Sequence, residues 1–329
     1  MTSPVEPQLA ARPEGALPAP MDPQIREFVR RMSADASQYP RRDTVSIAEG
    51  RDIAEKVRAP WAAGGPAMAR TVERHIPTRH GELRIRIHHP AGQRMPGALL
   101  YIHGGGFVLF SVDTHDRLMR EYAHRAGIVV VGIDYTRAPE ARFPQPLEEC
   151  IDAIEWLAAH AGEIGFDPAQ LFVGGDSAGG NLTMGCALHF RDAGRQPIRA
   201  MVLNYTGFST NLYRDSVVRY GAGDYGLSLH MMVWFYRNYL GRQEDFADPR
   251  MNLLAADVRG LPRACLVIAE CDPLYDDSID MVAKLEAAGV DLWARVYPGT
   301  VHSFLEAVSI AEVANTAFDD TVRWLQQHA

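Results

Sequence analysis

Gly175-Asp176-Ser177-Ala178-Gly179 sets a serine between two glycines, directly after the apolar run Leu171–Val173 and ahead of a helical stretch. The flanking glycines permit a sharp strand-to-helix turn that lifts the hydroxyl clear of a sheet edge. A serine held there can attack a carbonyl carbon once a neighbouring base takes its proton. Taken alone, the same five residues also describe an ordinary Gly/Ser turn. Nucleophilic chemistry needs three more things from the chain: a base, an acid to orient it, and donors for a developing oxyanion.

His103-Gly104-Gly105-Gly106-Phe107 follows the apolar run Ala98–Ile102 and offers the donors, because glycines let backbone N–H groups come close to a negative oxygen. For the base, this kind of site runs nucleophile, acid, histidine along the chain. After Ser177 come His189, His230, His302 and His328. His189 falls in the helix following the serine, His230 in an irregular interval and His328 at the chain end. His302 follows the last expected strand in Tyr297-Pro298-Gly299-Thr300-Val301-His302 and is the well-placed base. For the acid, Asp272 stands at the end of the run Ala264–Ala269, one strand before His302. Asp272-Pro273 also reads as a helix start. Asp276 and Asp277, a turn later, are weaker candidates.

These residues need a scaffold. Short apolar runs at Ala98–Ile102, Ile128–Ile133, Leu171–Val173, Ala200–Leu203, Ala264–Ala269 and Leu292–Val296 suit strands buried on both faces. Helical patterns such as Leu147, Cys150, Ile151, Ile154 and Leu157 alternate with them. The alternation predicts an α/β fold with a mostly parallel sheet and helices on both faces. Leu83, Ile85 and Ile87 alternate with polar residues, as on a half-exposed edge strand. Asp22-Pro23 caps one N-terminal helix, and a second, about 46–58, stops before Pro60. Residues 207–257 carry no convincing strand, only a helix with Leu229, Met232, Val233, Tyr236 and Leu240 on one face. An insertion over the sheet's carboxyl edge has this appearance, as does a plain crossover helix.

The chain has 329 residues and a net charge of -8, which argues against nucleic acid or an anionic membrane as partner. No apolar run is long enough for a membrane span, and no cationic, apolar leader opens the chain. The four cysteines, Cys150, Cys186, Cys265 and Cys271, lack metal-ligand or disulfide spacing, so a reducing cytoplasm is the expected compartment. Neither metal nor organic cofactor is expected.

The motifs at 103–107 and 175–180, Asp272-Pro273-Leu274 and the late His302 together resemble the bacterial hormone-sensitive-lipase-like esterases, in their Gly-Asp-Ser-Ala-Gly branch. Residues 113–117, 132–136 and 139–144 are most similar to bacterial acetyl esterases. The resemblance runs from about Gly81 to the C-terminus. It implies an eight-stranded α/β-hydrolase fold, with cap helices over 21–70 and a catalytic domain over 71–329 with its cap insertion at about 207–257; ahead of them residues 1–20, rich in Pro and Ala, are expected to be a disordered tail. It implies a Ser177–His302–Asp272 triad and an oxyanion hole from the N–H groups of Gly105, Gly106 and Ala178. His103 becomes structural, Asp176 a support for the serine turn, and homodimerisation a family-level expectation. Three positions depart from the family pattern: Tyr275, Ser303 and the stretch Asn204-Tyr205-Thr206. The activity implied is hydrolysis of short-chain carboxylic esters through an acyl-enzyme, with Phe107, Phe110, Phe208 and Trp234 as substrate-contacting bulk. An acyltransferase or amidase would use the same residues, and a non-catalytic receptor on this fold would have lost some of them.

Overall fold

A computed structural model describes residues 19–329. One eight-stranded sheet carries the strand order β1-β2-β4-β3-β5-β6-β7-β8. Its strands are β1 (Arg70–Thr78), β2 (Gly81–His89), β3 (Ala98–Ile102), β4 (Val129–Ile133), β5 (Leu171–Asp176), β6 (Ala200–Asn204), β7 (Arg263–Cys271) and β8 (Leu292–Val301). β3 to β8 run parallel to one another, and β2 is antiparallel to both of its neighbours. The central strands β3 to β6 are buried along their whole length. Alternate residues therefore feed two apolar layers: Leu100, Ile102, Val131 and Val173 join one, and Leu99, Tyr101, Val130 and Phe172 the other. The first layer is closed by α4 (Gln145–Ala159), α6 (Ala178–Asp192) and α9 (Tyr275–Ala287), the second by α3 (Asp116–Ala126) and α10 (Glu312–Gln327). A short α5 (Ala161–Ile164) follows α4.

The sheet has the expected class, with two local corrections. β2 is not the edge strand: β1 pairs with it in register from Arg70↔His89 to Thr78↔Gly81 and takes the edge. Arg84 and Arg86 of β2 lie half-buried, paired with Glu73 and Asp113, so its alternation reports an ion-paired face rather than an unpaired edge. The second N-terminal helix, α2 (Ile47–Ala62), starts after the Ser46 cap as expected but continues through Pro60. Pro60 lies in the last turn on an exposed face, four residues after the exposed Lys56 whose carbonyl it cannot engage. Trp61, one residue later, is buried edge-on against Phe28 of α1 (Pro23–Ala36) at 4.6 Å.

The expected tail falls almost wholly outside the described residues. Ala19, at its end, is buried: its N–H donates to Tyr220 Oη at 3.2 Å, and its carbonyl accepts from Cys271 Sγ at 3.6 Å. Between β6 and β7 lie α7 (Asp215–Tyr220) and α8 (Leu229–Tyr239), with two 3-10 turns and an isolated bridge between Ala222 and Ser228. α8 packs over the carboxyl ends of the strands, where Tyr239 stacks on Phe107 at 3.9 Å.

Candidate active site

Ser177 occupies the single-residue turn between β5 and α6, with φ 54° and ψ -117°. A side chain in that region costs about 1–3 kcal/mol, so the surroundings must over-determine it. They do. The Ser177 N–H donates to Asn204 O at 2.9 Å, and the turn is pressed onto the end of β3. A Cβ on Gly175 would lie 2.3 Å from Ile102 O, and one on Gly179 1.9 Å from the same oxygen. Both glycines are there for close approach, as the sequence pattern requires.

The sheet then brings the other two residues to this rim. Asp272 follows β7 and is buried; its Oδ1 accepts the Leu274 N–H at 2.9 Å, leaving Oδ2 for His302. His302 follows β8, with Nδ1 at 2.8 Å from Asp272 Oδ2 and Nε2 at 2.9 Å from Ser177 Oγ. An ionised carboxylate only accepts, so Nδ1 carries the proton and Nε2 is left to accept from the hydroxyl. The Tyr205 ring meets the imidazole edge-on at 5.2 Å and limits its rotation. Asp276 and Asp277 bond elsewhere: Asp276 accepts the Ser216 N–H and Asp277 the Phe208 N–H. His189 and His230 are remote from this chain of bonds, and His230 pairs with Asp43 at 2.5 Å.

The glycine loop lies beside the serine. Gly105 has φ 119° and Gly106 φ 60°, and neither N–H is hydrogen-bonded among the described residues. Ala178 is the first residue of α6, so its N–H has no carbonyl one turn back within the helix. Gly105, Gly106 and Ala178 line the same cavity as Ser177 and His302. The loop is fixed from behind. Gly104 N–H donates to Asp176 Oδ1 at 3.1 Å, and the Tyr101 hydroxyl donates to that oxygen at 2.9 Å. Asp176 Oδ2 lies 3.3 Å from His115 Nε2. His103 donates from Nδ1 to Gly104 O at 2.7 Å and stacks on Tyr135 at 4.4 Å. Burial, then the neighbouring His115, pushes the His103 pKa down to about 3, so it stays neutral and holds the loop rather than shuttling protons.

The cavity measures about 230 Å³. Of the expected substrate-contacting rings, Phe107 and Phe110 line it, but Phe208 and Trp234 do not. Phe208 is fully buried in the core, and Trp234 sits one position away from the face α8 turns inward. Phe235 and Tyr236 take that place, and a Cβ on Gly106 would lie 2.2 Å from the Phe235 ring. Periodicity marks the buried face of α8 but not its angle over the sheet, so the ring above the loop was not readable from spacing. The N-terminal helices add Phe28, Val29, Met32, Val57 and Arg58 to the wall. No cluster of three or more His, Cys, Asp or Glu side chains is arranged to hold a metal ion, and no helix is long and apolar enough to cross a membrane, among the described residues.

Residues 99–306 match the alpha/beta hydrolase fold family. The chain is 38% identical over 262 residues to an ethyl acetate hydrolase of Pseudomonas putida, covering 77% of this chain and 81% of that protein. A hyperthermophilic esterase of the archaeon Pyrobaculum calidifontis superposes with a TM-score of 0.88 at 34% identity, over 94% of this chain and 98% of that one. A thermostable carboxylesterase cloned from a metagenomic library gives 0.83 at 35% identity, over 87% and 98%. The chain belongs to the alpha/beta hydrolase fold family, among its hormone-sensitive-lipase-like esterases.

Proposed function

We propose that this chain is a serine carboxylesterase acting on short-chain esters. The observation that carries the reading is the unbroken bonding from Asp272 through His302 to Ser177, in a cavity that Gly105, Gly106 and Ala178 also line. His302 Nε2 takes the hydroxyl proton as Oγ attacks the ester carbonyl, and Asp272 holds the imidazole in the required tautomer. The oxyanion is received by the N–H groups of Gly105, Gly106 and Ala178, each such donor contributing about 2.7–4 kcal/mol in comparable sites. His302 then protonates the leaving alcohol. A water deprotonated by the same nitrogen attacks the acyl-enzyme and frees Ser177.

The short-chain preference is supported by the small cavity, by the Phe235 ring above Gly106 and by the relative that hydrolyses ethyl acetate. Ser177→Ala is expected to keep its thermal transition and lose about 10⁴-fold or more of kcat on p-nitrophenyl acetate. Unchanged turnover in that variant would remove the reading. A rate rising steadily from acetyl to dodecanoyl esters would remove the chain-length part alone.

A further inference from the structure

Ester hydrolysis needs no cation in the wall of the site, yet this cavity has two. Besides His302, the charged residues along it are Arg42, Arg58 and Asp176. Asp176 is spent on the floor, where Tyr101, Gly104 and His115 engage both of its oxygens. Arg58 forms a buried ion pair with Glu306, lies 4.6 Å above the Phe110 ring, and leaves its Nε without a hydrogen-bond partner. Arg42 sits in the segment between α1 and α2 and makes no side-chain hydrogen bond or ion pair among the described residues.

The carboxylate whose charge reaches Arg42 is Asp43, and Asp43 is committed elsewhere. Its Oδ1 accepts from Arg41 Nε at 3.2 Å and its Oδ2 lies 2.5 Å from His230 Nε2. Burial pushes both guanidinium groups below their ordinary pKa, Arg58 to about 9, and the next cause for Arg58 is the charge of Arg42 itself. Two cations thus share one wall: Arg58 is paired with Glu306 and feels the charge of Asp176, whereas no carboxylate among the described residues is hydrogen-bonded to Arg42. A half-buried guanidinium without a protein partner, its nitrogens open to the cavity, can take a bound anion in place of water. Its flat fork of N–H donors matches a carboxylate, and one unpaired guanidinium has donors for one such group.

Resting on the esterase reading above, we propose that the preferred substrate is an ester that itself bears a carboxylate, held by Arg42 with Arg58 behind it. The carboxylate belongs to the acyl part or to the alcohol part, and the two are told apart by matched pairs. Monoethyl succinate is compared with its neutral amide, ethyl succinamate, and acetoxyacetate with acetoxyacetamide. In the wild-type protein the anionic member of one pair is expected to show a kcat/KM about tenfold or more above its amide. Arg42→Gln should lower that ratio about tenfold, chiefly through KM, and Arg42→Lys should keep part of it.

Calorimetric binding of the same compounds to Ser177→Ala protein should follow the same order without turnover. A wild-type ratio at or below one in both pairs, or a ratio that Arg42→Gln leaves in place, overturns the proposal. The wild-type ratio decides on its own should Arg42→Gln not fold. Hydrolysis of the amides without any gain for the acids defeats this inference and spares the esterase reading. If none of the four esters is cleaved, the esterase reading falls, and carboxylate binding to Ser177→Ala still decides the role of Arg42.

Discussion

The floor and the roof of the cavity are held by different forces. In the floor, directional bonds of 2.8 and 2.9 Å link Asp272, His302 and Ser177, and Asp176 ties the glycine loop to the serine turn. In the roof, Phe28, Met32, Val57, Met231, Met232 and Phe235 make an apolar surface from two chain segments about two hundred residues apart in sequence. Hydrogen bonds fix atoms to a few tenths of an ångström, whereas dispersion contacts among methionines tolerate rearrangement. The floor holds its atoms in one arrangement, and the roof is the more adaptable surface.

The largest test of that contrast is Asp272→Asn. The amide oxygen can still accept the Leu274 N–H, but its NH₂ faces Nδ1 and forces the wrong imidazole tautomer. A fall in kcat of about 10⁴-fold with an intact fold is expected; a loss below tenfold would mean that the floor's bonds are structural only. Gly106→Ala probes where the two regions touch, since the methyl group meets the Phe235 ring and the residue must keep a positive φ. The expectation is a drop in kcat of about 10²–10³-fold, as for loss of an oxyanion donor. Phe235→Ala on top of it should restore part of the rate. If the double variant is no better than the single one, floor and roof are mechanically independent at this point.

The smallest effect concerns the joint between them. Asp277 of α9 accepts the Phe208 N–H at 3.2 Å and lies 3.4 Å from Arg214 Nε, fastening the α7–α8 interval to the sheet's own helix layer. Burial raises its pKa to about 7, with the Arg214 charge opposing. The folded protein keeps this proton up to near pH 7, while the unfolded chain releases it near 3.8. Folded molecules therefore bind more protons across that window, and the group's contribution to stability falls as pH rises from about 4 to 7. The change is on the order of 1–3 kcal/mol, given ~1.4 kcal/mol per unit and the screening by Arg214. Urea unfolding at pH 5 and pH 8 should show it, and Asp277→Asn should flatten it; parallel curves for the two proteins would refute the assignment.

What could be read from sequence follows the same division. Ser177, Asp272 and His302 were legible because the reaction dictates residue type and chain order, and because strands ending at one rim deliver them together. The sheet class was legible from short β-branched runs. Roof detail was not: Trp234 and Phe235 are adjacent in an aromatic helix, and only the packing angle of α8 chooses between them. Pro60 looked like a stop because its exposed position, and the burial of Trp61 beyond it, are tertiary facts. Arg42 and Arg58 carried no signal, since isolated arginines in a chain rich in them resemble solvated surface.

The pairing of Arg58 with Glu306 has a practical corollary for protein engineering. Glu306 stands four residues past the imidazole, on the turn that seats it, while its counterion arrives from the far end of the polypeptide. Grafting a foreign lid onto this body, or trimming the first sixty residues, strands an anion in the dark next to the reaction centre. The two positions must travel as a unit in any chimaera.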